Sequence, residues 1–392
     1  MKTLRTMPIN RLLLVLAAAV AVVVAGTVAV AARGGGGSTP PPKPLANAIH
    51  DALTAPTPTG VTARISFTNK LFPSGALTGQ AGSPLMSGAS GRLWVNQNGG
   101  RLELQSDAGD AQITWDDSKV TIYDASSNTA YVVDLPKQDA STTDSHTPPS
   151  LDEITKFLTD AGAHWAISAA DPSNVAGREA YTVSVSPKHD GGLLGAAKLA
   201  WDAVTGTPLK LSVYAQGASS PVLALEATDI SFGSVPNSDI AVAPPAGTKV
   251  VDLSTQHGGS GSDTGAAPVT GLTAVQAAAP FTVVAPDALV GLPRQDVRLV
   301  GPADSRVVLA TYGQGLGAIL VVERKHDLSA PKQHGGSNGL DSLPTVALDG
   351  VTAHELSTQL GTVLAWDAGG VSYALAGSVP SAAAEAAARA LK

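Results

Sequence analysis

"WDAVTGTPLKLSVYA", residues 201–215, contains the end of one strand, a tight turn and the start of a second strand. Thr205-Gly206 supplies the turn, because glycine accepts the positive φ that tight hairpin connections require. From Leu209 to Tyr214 apolar and polar residues then alternate. Since successive side chains of a strand point to opposite faces, the stretch predicts a hairpin with one apolar and one polar face.

Segments of the same kind recur on both sides of this hairpin, separated by glycine, aspartate and asparagine turns. They include "VTARISFTN", "GRLWVNQ", "RLELQS", "DAQITWDD", "KVTIYDA", "TAYVVDLP", "REAYTVSVSP" and "PVLALEATDISF". Such a series predicts an antiparallel meander. The spacing of Leu45, Ile49 and Leu53 predicts a helix that opens the domain, and a capping box of Ser150 and Glu153 predicts a second, inserted helix.

Composition excludes several classes of protein. The 392 residues are 44% hydrophobic and 15% charged, which is typical of two ordinary globular domains. A net charge of -7 opposes binding to phosphate backbones, so we expect no nucleic-acid partner. The absence of cysteine excludes disulfides, thiolate metal sites and cysteine nucleophiles.

The N-terminus predicts attachment to a membrane. Basic residues precede a run of 21 uncharged residues, Leu12 to Ala32, which is apolar except at Thr27 and long enough to span a bilayer. The basic residues place the N-terminus in the cytoplasm and the body outside the cell membrane. A cleaved signal is the alternative, because Ala29-Val30-Ala31 has the small residues of a cleavage site, and the body would then be secreted.

The chain divides into four parts by composition. Residues 1–44 are predicted to be a signal anchor followed by a Gly/Pro-rich stalk, and residues 45–254 the first domain. Residues 255–269 form a Gly/Ser-rich linker, and residues 270–392 a smaller α+β domain with "FTVVAP" as an early strand and an alanine-rich helix at its end.

Four further stretches are informative: "GREAYTVSVSP", "LAWDAVTGTPLKLSVY", "ATDISFGSVPNSDI" and "PPAGTKVVDL". Through them residues 45–252 resemble the LolA/RseB-like superfamily of extracytoplasmic lipoprotein carriers and lipid-sensing regulators. The matching positions are structural: Trp201, Asp202, Thr205, Gly206, Pro208, Leu209, Pro244, Pro245 and Gly247. More weakly, "VVLATYGQGLGAILVVER" and "LAWDAGGVSYALAGSVP" resemble a small α+β domain that follows LolA-like domains in Gram-positive membrane proteins.

The resemblance implies a mainly β, α+β fold, in which a curved, incomplete antiparallel β-barrel with covering helices encloses an apolar cavity for acyl chains. The residues expected to line that cavity are Ile65, Phe67, Leu93, Val95, Leu102, Leu104, Ile113, Trp115, Val120, Ile122, Val183, Val185, Leu209 and Leu211. Alternation alone is equally compatible with a filled core beneath the helices.

One long excursion separates the first two predicted strands. Residues 69–90 carry Leu71, Phe72, Leu85 and Met86 among glycines and prolines. We interpret this segment as a flap at the cavity mouth or against the membrane, with plain disorder as the alternative.

Catalytic and metal-binding motifs are incomplete. "HELST" at His354 has Thr358 where a zinc-protease motif needs its second histidine, and "GGSNG" around Ser337 lacks the preceding strand of a nucleophile elbow. We therefore expect a protein that is not an enzyme, with no metal and no cofactor.

Three functions remain compatible with the sequence. The first is a membrane-tethered carrier that binds lipid or lipoprotein acyl chains, and the second is an RseB-like sensor that binds a membrane protein and signals lipid occupancy. The third is a structural or adhesive envelope protein, since a fold does not determine a function.

Overall fold

The computed structural model describes residues 37–71, 84–135, 148–188, 191–253, 268–302, 305–326 and 343–391. Strands before residue 253 form one sheet and strands after residue 268 form another. The chain is mostly strand, with large curved open sheets and a few helices, so the predicted α+β, mainly β class is confirmed.

The first sheet has 13 strands, antiparallel except at one edge. They are β1 (Gly60–Asn69), β2 (Ala89–Asn96), β3 (Gly99–Ser106), β4 (Gly109–Trp115), β5 (Lys119–Asp124), β6 (Thr129–Asp134), β7 (Trp165–Ile167), β8 (Asp171–Val175), β9 (Arg178–Pro187), β10 (Leu194–Asp202), β11 (Pro208–Ala215), β12 (Leu223–Phe232) and β13 (Lys249–Asp252). Their spatial order is β13-β6-β5-β4-β3-β2-β1-β12-β11-β10-β9-β7, and β8 also pairs with β9.

Four helices accompany this sheet: α1 (Leu45–Thr54), α2 (Pro84–Ser87), α3 (Leu151–Ala161) and α4 (Asn237–Ile240). Ala48 of α1 packs on Ala170, Tyr181 and Trp201, so α1 covers β9 and β10. The predicted capping box is confirmed at the start of α3, which packs on α1.

The stretch "WDAVTG" forms the predicted turn between β10 and β11. Gly206 has φ 68°, and a Cβ at this position would lie 2.3 Å from the carbonyl oxygen of Ala52 in α1. Glycine is therefore required twice, by the backbone conformation and by the close approach of the helix.

Asp202 holds the same turn in place. It is buried, and its Oδ1 accepts hydrogen bonds from the backbone N–H groups of Val204 and Thr205 at 3.0 and 2.8 Å. The Thr205 hydroxyl donates to the same oxygen, while Oδ2 pairs with Arg178 Nε at 2.7 Å. The turn is thus fixed by a carboxylate whose two oxygens are both occupied.

The proline-rich half of the predicted stalk is part of the first domain. The Tyr181 hydroxyl donates to the carbonyl oxygen of Pro41 at 2.7 Å, and Lys43 forms a β-bridge with Ala170. The predicted stalk is thus corrected in its second half, which these contacts dock on the sheet, whereas residues 33–36 lie outside the described residues.

The second sheet has nine strands. They are β14 (Val269–Thr270), β15 (Ala288–Leu289), β16 (Leu292–Val300), β17 (Val307–Tyr312), β18 (Ile319–Lys325), β19 (Thr345–Leu348), β20 (Val351–Thr358), β21 (Gly361–Ala368) and β22 (Val371–Gly377). Their order is β14-β16-β17-β18-β22-β21-β20-β19, with β15 paired to β16. Helices α5 (Leu272–Ala278) and α6 (Ser381–Arg389) and a 3-10 turn at Gly315–Gly317 complete the unit.

The sequence predicts two segments near the start of this part, a strand at residues 281–286 and a linker at residues 255–269. "FTVVAP", residues 281–286, forms no strand, so the predicted strand there is wrong. Most of the predicted linker, residues 255–267, lies outside the described residues, and the domain boundary stays a prediction.

Candidate functional site

Strand register places the apolar side chains of the first sheet on one common face. Phe67 lies opposite Leu225, which lies opposite Leu211, and the row continues through Leu199 to Val183. Directly opposed residues of neighbouring strands point to the same side of a sheet. We call this side the apolar face.

A second row extends the apolar face in the other direction. Leu93 of β2 lies opposite Leu102, which is followed by Ile113 and Ile122 in β4 and β5. The apolar face therefore runs without interruption from β5 through β1 to β9.

With one exception, the predicted cavity residues all lie on this face. Those placed there are Ile65, Phe67, Leu93, Val95, Leu102, Leu104, Ile113, Trp115, Val120, Ile122, Val183, Val185 and Leu211. The exception is Leu209, which packs in a small separate cluster with Val175, Ala180 and Ala200. A register shift between Ala200 and Trp201 breaks the alternation next to Leu209.

Burial divides the apolar face into a centre and two wings. The packed centre consists of Ala63, Ile65, Leu102, Leu104 and Ala227, all at most 5% exposed. Because these side chains fill the space against one another, they form an ordinary core.

The wings are only half-buried. The first wing comprises Val120, Ile122, Tyr131 and Val133, and the second comprises Val185, Leu211, Val213 and Leu223. Among the described residues, none of these side chains belongs to a buried cluster. They form apolar surface that the described chain covers only in part.

The second domain provides a contrast in the same molecule. Its core is one continuous cluster in which Leu289, Val308, Ile319, Leu364 and Leu375 are all 0% exposed. The second sheet thus has a filled core on one face, whereas the larger first sheet is divided into three small clusters and two half-buried wings.

The predicted flap is described only at its two ends. Asn69 accepts a hydrogen bond from the backbone N–H of Leu71 at 2.9 Å and donates to the carbonyl oxygen of Leu85 at 2.8 Å, so its side chain joins them. Leu85 packs against the centre of the apolar face, and Met86 lies in α2. Phe72 falls outside the described residues.

The opposite, polar face of the first sheet is covered by the segment around α4. Arg101 and Gln112 donate to the carbonyl oxygens of Asp239 and Val242 at 2.6 and 3.1 Å. Between this segment and β4–β5 is a cavity of about 460 Å³, lined in part by Thr114 and Thr121. These threonines lie on the polar face, and Trp115 of the apolar face also lines the cavity at the end of β4.

A buried carboxyl group in the second domain escaped the sequence analysis. Glu323 in β18 is 0% exposed, and its Oε2 accepts from the backbone N–H of Val284 at 3.1 Å, while Oε1 has no hydrogen-bond partner. Burial raises the pKa of Glu323 to about 7. Its parity with Ile319 and Val321 places it on the core face, a signal that the sequence already contained.

The weak catalytic motifs are placed as follows. His354 lies within β20, opposite Thr345 and Ala365, and not on a helix. Ser337 lies outside the described residues. Within the described ranges, no three His, Asp or Glu side chains are grouped closely enough to hold a metal ion.

The predicted membrane span, residues 12–32, also lies outside the described residues and stays a prediction. In the part of the chain that the structure describes, no helix is long and apolar enough to cross a membrane.

Comparison with known proteins yields likenesses of structure only. No protein-family model and no curated protein sequence matches the chain. Pseudomonas aeruginosa MucB, in its complex with MucA, is 17% identical with a TM-score of 0.41, covering 88% of this chain and 94% of its own. An outer membrane lipoprotein-sorting protein domain from Vibrio parahaemolyticus is 9% identical with a TM-score of 0.19, covering 46% of this chain and 89% of its own. At these values the likenesses carry no conclusion about function.

Proposed function

We propose that this chain is an extracytoplasmic, membrane-tethered protein that binds lipid or lipoprotein acyl chains on the wings of its apolar face. The observation that carries the proposal is the half-buried state of both wings beside a packed centre. A surface of this kind is stable when an apolar ligand completes its burial.

The energetics require no charged anchor. Each buried acyl methylene contributes about 0.8 kcal/mol, so an acyl chain of ordinary length could be held by the wings alone. The resemblance of residues 45–252 to the LolA/RseB-like superfamily supports the same ligand class.

Contacts between the two domains favour an RseB-like sensor as the second candidate. The backbone N–H of Leu193 donates to the carbonyl oxygen of Ser378 at 3.0 Å, and Gln359 donates to that of Lys70, also at 3.0 Å. Lys70 is the second residue of the predicted flap. A ligand that displaces the flap would therefore act on a contact with the second domain, where a membrane protein partner could detect it.

Ile122→Asp tests the acyl-binding surface. Ile122 lies in the first wing, and a carboxylate there would have to lose its hydration against an acyl chain. We expect the lipid affinity to fall at least ~10-fold, which corresponds to about 1.4 kcal/mol. The measurement is the fraction of molecules that keep a lipid in native mass spectrometry after detergent-free extraction.

Thr121→Asp is the matched control, because the neighbouring residue has the same backbone environment but points to the polar face. Lipid occupancy should stay at the wild-type level in this variant. Equal occupancy in both variants, with both folded, would show that the first wing does not bind lipid. A wild-type protein without any bound lipid would favour the structural or adhesive alternative.

A further inference from the structure

The chain enters the first domain at one end of its sheet. Asn174, next to the last residue of β8, donates to the carbonyl oxygen of Ser38 at 2.9 Å. From there the backbone continues along the sheet to Lys43, which bridges Ala170. β8, β10 and β12 finish at this end of the sheet, and β9 and β11 begin there. We call it the lower end.

Little chain separates this docking point from the predicted membrane span. Five residues lie between Ala32 and Ser38, and fully extended they reach about 20 Å. β9 alone has 10 residues, a length of about 33 Å. The tether is therefore shorter than the domain is tall, so the opposite end of the sheet cannot reach the bilayer if the span is retained.

The lower end carries exposed apolar side chains. Val204, at the tip of the β10–β11 turn, is 60% exposed, and Leu53, near the end of α1, is 46% exposed. The close approach of Gly206 to Ala52 brings the turn and the end of the helix together.

Two ion pairs lie near these residues. Arg178 and Asp202 form the ion pair described above, and Lys43 of the docked segment pairs with Asp51 of α1. Paired charges lower the cost of approach to a low-dielectric surface. Val204 and Leu53 can therefore approach lipid without bringing an unpaired charge from either ion pair close to it.

The second domain contacts the first at the other end of the sheet. Its contacts with the first domain, at Leu193 before β10 and at Lys70 after β1, lie at the opposite, upper end of the sheet. Ser38 is thus held at one end of the sheet, and the contacts with the second domain lie at the other.

We propose that the lower end rests on the lipid bilayer, with Val204 and Leu53 in its interfacial layer. The proposal rests on the retained tether of the proposed function. It adds a defined orientation, in which the first domain touches the membrane and the second domain is held away from it.

Single-cysteine labelling tests this orientation, because the chain has no cysteine of its own. The full chain, as Val204→Cys, is labelled with an environment-sensitive fluorophore and reconstituted in phosphatidylcholine and phosphatidylglycerol vesicles with or without nitroxide-headgroup lipid. Val250→Cys is the matched control, since Val250 is similarly exposed at 64% but lies opposite Ala130 at the upper end. We expect blue-shifted emission and several-fold stronger quenching at position 204 than at position 250.

Two results would overturn the inference and are distinguishable. Equal quenching at both positions, in protein that stays with the vesicles through an alkaline wash, refutes the orientation and leaves the proposed function intact. Release of the protein by the wash refutes the retained tether, and with it both this orientation and the tethered form of the proposed function.

Discussion

Asp202→Ala is expected to lower the free energy of unfolding of the first domain by about 3 kcal/mol, within the range for breaking a buried ion pair by removing one partner. The substitution leaves the N–H groups of Val204 and Thr205 without their acceptor and the Arg178 guanidinium without its carboxylate. Partial exposure of Arg178 limits the loss, because water can solvate part of the guanidinium. Urea unfolding of the first domain measures the effect.

Asp116→Ala is the matched control for this prediction. Asp116 Oδ1 accepts from two backbone N–H groups and from the hydroxyl of Ser118, the same arrangement as at Asp202, but Asp116 has no arginine partner among the ion pairs of the described residues. Its removal should cost about 1 kcal/mol, as for an ordinary turn cap. Equal losses in the two variants would show that the ion pair contributes nothing beyond the turn.

Glu323→Gln is expected to remove a pH dependence from the second domain. The folded-state pKa of Glu323, about 7, lies above the ordinary value of 4.5 because the carboxyl group is buried. Between these values the unfolded chain releases the proton while the folded domain keeps it, so stability falls as pH rises. The fall between pH 5 and pH 8 should be about 2 to 3 kcal/mol in the wild type and absent in the variant.

Pulsed hydrogen exchange in increasing urea measures the effect at pH 5 and at pH 8. Peptides from β18 and β21 report the urea concentration at which half of the second domain is unfolded. Glu355→Gln serves as the control, since burial and Glu385 raise the pKa of Glu355 at a less buried position, and its effect should be smaller. Identical slopes in wild type and Glu323→Gln would mean that Glu323 is already ionised in the folded domain.

Alternation in the sequence is sufficient to assign the faces of the first sheet. Regular strands such as β3 and β5 keep a period of two, so the face that carries Leu102, Leu104 and Ile122 follows from the sequence alone. The position of Leu209 does not, because a register shift next to it depends on pairing between strands. Nor does alternation separate the packed centre from the wings, since that difference depends on contacts between distant segments.

Other features that the sequence does not predict also depend on contacts between residues far apart in the chain. β8, "DPSNV", is polar and contains proline, and it is a strand only through its pairing with β9. Residues 281–286 have the composition of a strand, but their Val284 N–H bonds to Glu323 instead of a neighbouring backbone. The docking of Pro41 on Tyr181 joins residues 140 positions apart, and no local pattern indicates it.

Photo-crosslinking in cells tests whether acyl chains bind to the wings of the apolar face. Cells making the full-length protein are fed a fatty acid that carries a diazirine, irradiated, and the lipid-modified peptides are mapped by mass spectrometry. If the wings bind acyl chains, modified residues should lie on both wings, at β5–β6 and at β9–β12, in addition to the predicted span at residues 12–32. Modification confined to residues 12–32, with the wing peptides recovered and unmodified, would contradict it, because the apolar face would then hold no acyl chain.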